Sequence, residues 1–191
     1  MNTGLPIETE RLKLLPGSNA RDDEPFTIML RNEGNFRDFC GFEFSEKFLS
    51  SFQNYFERRD GSCLYSIFPK YTNIFIGYAG VHRDSNYDYE IEFYIKKSER
   101  RKGFCEEACK AVMNQFFYEY LSIDNDKIRA KKLYATALPD NSPAINLLSK
   151  LGFKRYIPED GAVLIMEGFV DEESDEFHGY CVSKYVITKN E

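Results

Sequence analysis

Three consecutive cations, Arg100, Arg101 and Lys102, stand immediately before Gly103 in the segment 88–121, DYEIEFYIKKSERRKGFCEEACKAVMNQFFYEYL. The residues after Gly103 have the periodicity of a long amphipathic helix, and those before the cations alternate as a strand. The cations therefore fall where the aligned peptides of a helix already carry about half a positive charge. Cations repel one another there unless an anion lies between them. Exposed amides with Arg and Lys at a strand-to-helix turn form a phosphate cradle. The spacing thus predicts a phosphate-bearing ligand at Gly103; the other reading of the same residues is a solvated basic run from Lys96 to Lys102.

Upstream, strand alternation puts Glu90, Glu92 and Tyr94 on one face, opposite Ile91, Phe93 and Ile95. The carboxylates are either proton acceptors or solvated groups on an open sheet face. His82, in the preceding strand, is a weaker candidate for the same chemistry, and His178 is weaker still. Five scattered cysteines, Cys40, Cys63, Cys105, Cys109 and Cys181, include no CxxC pair, so reduced, unmetallated thiols are expected and no metal site is predicted. Cys105 and Cys109 lie one helical turn apart. Small buried helix residues explain that spacing more simply than a reactive thiolate does.

The elements that position these groups emerge from pattern and punctuation. A first strand is expected over 7–14, closed by Pro16-Gly17, then a helix capped near Asp22, Asp23 and Pro25 that buries Phe26, Met29 and Leu30. A second helix is expected over 45–59, with an apolar stripe of Phe48, Leu49, Phe52, Tyr55 and Phe56. Strands are expected over 63–68, 74–82 and 87–95, the first pair joined around Pro69 and Asn73 and the next at 84–86. The long helix should reach Leu121, with a loop or frayed end over 124–132. A β-capable stretch occupies 133–138. Strand, helix and strand at that length make a crossover, so 87–95 and 133–138 should be parallel neighbours, with the Gly103 loop at the strand end where ligands collect. Asn141 or Ser142 should cap a short helix over 144–151, with Pro143 at its first position and Gly152 as a left-handed stop. Strands near 162–166 and 180–188 should flank the acidic run 167–176.

The composition sets outer limits. The 191 residues, 42% hydrophobic and 16% aromatic, suffice for one well-buried core and are read as one domain, 1–191. No apolar run approaches 18 residues and no signal-peptide layout opens the chain, so a soluble, cytoplasmic protein without a membrane partner is expected. A net charge of -6 and a pI near 5.2 disfavour nucleic acid as the main partner.

With this order of elements and these loops, the chain resembles the GNAT superfamily of acyl-CoA-dependent N-acyltransferases, specifically its Rim-type branch of ribosomal-protein N-terminal acetyltransferases. ETERLKL resembles that branch's opening strand, IGYAGVH the strand before the cofactor site, and EIEFYI its Glu-Ile-Gly-Tyr-Trp-Leu. RRKGFCEEA is similar to the Arg/Gln-x-x-Gly-x-Gly/Ala signature at Arg100, Gly103 and Cys105, and Asn141 with Leu151-Gly152-Phe153 resembles the later motif. Departures are Cys105 for Gly or Ala, Arg101 for a frequent Gly, Leu148 where many relatives carry a tyrosine acid, and Ala144 where the branch often has serine.

The resemblance implies an α/β (α+β) fold. Its mixed, mostly antiparallel sheet has one parallel strand pair splayed around the cofactor and helices on both faces. It also implies transfer of an acetyl group from acetyl-CoA to an amine, a protein N-terminus or a small molecule, by direct attack. Arg100, Arg101 and Lys102 with the amides of Gly103, Phe104 and Cys105 would seat the pyrophosphate. The strand end Phe93, Tyr94 and Ile95 would pair with the pantetheine arm and supply an N–H for the oxyanion, and Asn141 would add a hydrogen bond to the arm. Glu90 or Glu92 would take the proton of the amine, while Tyr94 and Ser142 could donate one to the thiolate. The acidic run could attract a cationic acceptor or be a solvated loop. The oligomeric state, monomer or homodimer, is left open. A different reading is an acyl-CoA-binding regulatory module with little turnover, motivated by the missing tyrosine and serine.

Overall fold

Residues 63–69, Cys-Leu-Tyr-Ser-Ile-Phe-Pro, form a strand buried along its whole length, as befits a sheet covered on both faces. The computed structural model describes residues 5–33, 63–83, 88–118, 121–123, 126–128, 131–159, 161–162, 164–170 and 177–189. Its strands are β1 (Ile7–Glu8), β2 (Leu12–Pro16), β3 (Cys63–Pro69), β4 (Gly77–Arg83), β5 (Tyr89–Ile95), β6 (Leu121–Ile123), β7 (Asp126–Ile128), β8 (Lys132–Ala137), β9 (Lys154–Arg155), β10 (Ile165–Val170) and β11 (Phe177–Thr188). Its helices are α1 (Asn19–Glu33), α2 (Phe104–Tyr118) and α3 (Ser142–Lys150), with a 3-10 turn at Lys97–Glu99.

The main sheet runs β1-β2-β3-β4-β5-β8-β11-β10, with β9 on β11. Every pairing in it is antiparallel except β5 with β8, in register at Glu90 and Tyr134 near the start of β5. Beyond that position, no further residue of β5 is in register with β8 among the described residues. The crossover that joins them is α2, as its length demands.

Alternation sorts the core into two layers. Cys63, Tyr65, Ile67, Ala79, Val81, Ile91, Leu133 and Ala135 face α2 and α3, meeting Ala108, Cys109, Val112, Phe116 and Leu148. Leu64, Phe68, Tyr78 and Tyr94 face the other way, against Phe26, Met29 and Leu30 of α1. Phe26 stands edge-on to Tyr78, with ring centroids 5.6 Å apart. Each such fully buried large side chain contributes roughly 1.5–3 kcal/mol. Helices thus lie on both faces of a mixed sheet with one parallel pair. No helix among the described residues is long and apolar enough to cross a membrane.

Boundaries depart from the pattern-based expectation at several points, among them the strand expected over 74–82, which starts at Gly77, and β9, which was not expected. The first strand is broken at Thr9–Arg11 into β1 and β2, which pair with each other, because Thr9 turns the chain: its hydroxyl accepts from the Leu12 amide at 2.9 Å. Helix α1 begins at Asn19, ahead of the expected cap, since the carboxylate of buried Asp22 reaches back to the Ser18 amide (2.9 Å) and accepts from Ser66 (2.5 Å). Leu121 belongs to the β6–β7 hairpin instead of α2, and the expected 124–132 loop contains β7. Finally, β10 and β11 extend into the acidic run, pairing Glu167 with Tyr180 and Val170 with Phe177. The expected helix over 45–59, the 84–86 turn and residues 171–176 lie outside the described residues.

Candidate active site

Strand β5 ends at Ile95, and the Lys96 amide is tied to the Ile76 carbonyl at 2.8 Å. After the 3-10 turn, Arg101 adopts φ 61° and Gly103 φ 83°, and α2 starts when the Glu107 amide reaches the Gly103 carbonyl at 3.0 Å. Two left-handed residues within three positions make a tight turn of the kind whose N–H groups converge on an anion. At Arg101, a non-glycine residue, that conformation costs on the order of 1–3 kcal/mol. Strain of this kind at a helix N-terminus fits a phosphate seat.

The three cations have different duties. Arg100 donates from Nε to the Ile95 carbonyl at 2.9 Å, and its guanidinium lies 5.1 Å above the Tyr94 ring. Lys102 Nζ bonds Glu99 Oε2 at 2.9 Å, and that hydrogen bond holds its pKa above the ordinary lysine value. Arg101 is exposed and makes no side-chain hydrogen bond or ion pair among the described residues. Phe104 is buried, and Cys105 packs partly buried against the core.

On the α1 side of the sheet, His82 stands opposite Glu90 in the β4–β5 ladder. Its Nδ1 is 3.6 Å from Glu92 Oε1, with both side chains about 15% exposed (16% and 15%). Glu90 is buried and accepts from the Thr136 hydroxyl at 2.5 Å. Lys184, opposite Thr136 in the β8–β11 ladder, points its Nζ to Asp88 (3.3 Å) and over the Tyr134 ring (4.5 Å). The structure therefore assembles Glu90, Glu92, His82, Thr136 and Lys184 on one face. Phe93, Tyr94 and Ile95 form the end of β5 beyond its paired position with β8.

Asn141 is the cap of α3: Oδ1 accepts from the Ala144 amide at 3.2 Å. Gly152, at φ 92°, ends that helix in the left-handed conformation expected of it. Leu148 is fully buried in the core beneath α3. Cys109 is unlike a nucleophile, since burial, then the hydrogen bond it shares with Cys105, raises its pKa well above the thiol norm. His178 lies in β11 opposite Phe169.

A group that residue spacing did not single out sits beside the Gly103 loop. Glu107, on the first turns of α2, accepts from the Thr9 hydroxyl (2.6 Å), the Arg11 amide (2.9 Å) and Arg11 Nε (2.7 Å). The available signal was the polar Thr9-Glu10-Arg11 interruption of an otherwise alternating strand.

A parallel pair in register at one position, a left-handed basic loop at the start of the crossover helix and a carboxylate-bearing sheet face are thus built around β5. A family model described as "Acetyltransferase (GNAT) domain" matches residues 11–154, and the chain belongs to that family. Solved structures agree in fold. A GNAT-family acetyltransferase from Bacillus anthracis is 19% identical at a TM-score of 0.67, over 96% of this chain and 98% of that one. An acetyltransferase from Agrobacterium tumefaciens is 16% identical at 0.63, over 98% and 96%. A ribosomal-protein-S5-alanine acetyltransferase from Vibrio fischeri is 11% identical at 0.62, over 95% and 96%. No curated protein matches.

Proposed function

We propose that this chain is a single-domain N-acetyltransferase that moves an acetyl group from acetyl-CoA to an amine, a protein N-terminus or a small cationic molecule, by direct attack. The observation that carries the reading is the pair of left-handed residues, Arg101 and Gly103, at the N-terminus of the crossover helix. The amides of Gly103, Phe104 and Cys105 with the Arg101 guanidinium address the pyrophosphate. Arg100 serves through its bond to Ile95, which shapes the end of β5, and Lys102 adds charge from its pair with Glu99. The backbone of Phe93–Ile95 offers hydrogen bonds to the pantetheine arm and an N–H for the developing oxyanion. Asn141 supports the arm from the α3 terminus.

An amine with a pKa near 10 must lose a proton before it attacks. Glu92, with His82 beside it, is the favoured base, and Glu90 is the second candidate, held by Thr136. The amine nitrogen bonds to the thioester carbonyl carbon, the carbon–sulfur bond breaks and the thiolate takes up a proton. Glu92→Gln should lower kcat about 100-fold or more with little change in the KM for acetyl-CoA. An equal loss in kcat and cofactor binding would take the base role away from Glu92. The reading as a whole is tested by thermal melting with acetyl-CoA: at 100 times Kd, binding stabilises by about 2.7 kcal/mol, and an unmoved transition sinks it.

The second reading, an acyl-CoA-binding module of low turnover, is favoured by one observation. Leu148, where the resemblance looks for an acid, is an apolar core residue. Thioester consumption with a panel of amines separates the two, since CoA binding without CoA release selects the module.

A further inference from the structure

We infer that Arg11, remote in sequence from the cradle, is a positioning residue that fixes the Lys102–Gly103 peptide so that its N–H faces the ligand; this rests on the reading of the loop as a pyrophosphate seat. Arg11 Nη1 donates to the Lys102 carbonyl at 2.8 Å. In a trans peptide the carbonyl and the following N–H point in opposite directions. A carbonyl drawn toward the β1–β2 turn therefore turns the Gly103 N–H away from that turn. No peptide among the described residues is cis.

The guanidinium is itself held on several sides. Its Nε and the Arg11 amide grip both oxygens of Glu107, at 2.7 and 2.9 Å, so the anchor is the helix that the cradle opens. The Arg11 carbonyl accepts from the Lys70 amide at 2.9 Å, joining the β3–β4 turn to the same point. The guanidinium lies 4.9 Å above the Phe104 ring, against which Tyr71 leans at 6.3 Å. A Cβ on Gly103 would stand 3.1 Å from Arg11 Nη2, tighter than ordinary van der Waals contact, so the guanidinium lies directly against the loop. Gly103 and Arg101 both have positive φ, and a glycine beside a strained residue offers little resistance to rotation of the intervening peptides. The planar fork of arginine supplies the missing restraint, because it reaches carboxylate and carbonyl at once.

The test compares CoA with pantetheine, which lacks the pyrophosphate, by titration calorimetry on the full chain. Arg11→Lys can keep the ion pair with Glu107 but cannot also reach the Lys102 carbonyl. It is expected to weaken CoA binding about tenfold, the weight of one hydrogen bond to a charged group, and to leave pantetheine affinity unchanged. Arg11→Ala should do the same to CoA and also lower the melting temperature. Thr9→Val, which removes the hydroxyl's bonds to Glu107 and to the Leu12 amide but not the Arg11–Lys102 bond itself, should retain CoA affinity within about twofold. The inference is overturned if Arg11→Lys binds CoA as the parent does, if pantetheine weakens in parallel, or if Thr9→Val loses as much as Arg11→Lys. A parent chain that binds no CoA removes the pyrophosphate reading itself, and this inference with it.

Discussion

Arg101 is where the chemistry of the loop is most exposed to test. A run of three cations reads as one patch in sequence, yet Arg100 is committed to the Ile95 carbonyl and Lys102 to Glu99. Arg101 adopts a strained backbone and presents its guanidinium to solvent. Arg101→Ala should therefore weaken CoA binding several-fold with a stronger dependence on ionic strength in the parent than in the variant. Equal weakening by Lys102→Ala would show that the patch acts only as a sum of charges. The same scale separates the two glutamates. Alternation put Glu90 and Glu92 on one face, and they do share it, but nothing in the spacing indicated that one would accept from Thr136 and the other sit 3.6 Å from His82.

At the scale of elements, local punctuation was the better guide wherever a cap or stop is made by neighbours in sequence. The residues Asn141-Ser142-Pro143 and Gly152 bracket α3, and the structure selects Asn141 over Ser142 as the cap. Asn141→Ala should cost about 1 kcal/mol in urea unfolding, the usual weight of an N-cap. If Asn141 also bonds the pantetheine arm, CoA affinity falls as well; unchanged affinity would confine it to capping. Where an element is shaped by a distant partner, pattern failed. The strand expected over 7–14 is split where the Thr9 hydroxyl takes the Leu12 amide, a turn that Glu107 of α2, 96 to 98 residues away, holds through Thr9 and Arg11. The start of α1 is likewise set by Asp22, which answers both Ser18 and Ser66.

For the whole molecule, Glu107 links the acid stability of the fold to the Gly103 loop, through the Arg11 that it holds. Burial pushes its carboxyl pKa up, but the Thr9 hydroxyl and the Arg11 amide and guanidinium outweigh that and hold it below the ordinary 4.5. Because the folded value lies below the unfolded one, the stabilisation is complete above about pH 4.5 and drains away as the pH falls through the folded value. Glu107→Gln should flatten the stability-versus-pH curve in that acid window while leaving its slope near neutrality alone, as read by urea midpoints across pH. A parent curve already flat there would mean that the Arg11–Glu107 pair is not formed in solution.

The order of the described strands and helices apart from β6, β7 and β9, the parallel crossover around α2, the basic turn at Gly103 and the face shared by Glu90 and Glu92 were legible in the residues alone. These depend on periodicity, chain length and residues such as Gly, Pro and Asn whose preferences act over a few positions. Which cations pair within the chain, and which carboxylate meets a histidine, was settled by the folded chain. So was the bracing of a loop by the turn of the first hairpin, about 90 residues earlier. Those outcomes depend on side chains meeting across the sheet and between layers, at distances of 2.5–3.6 Å that no spacing along the chain encodes.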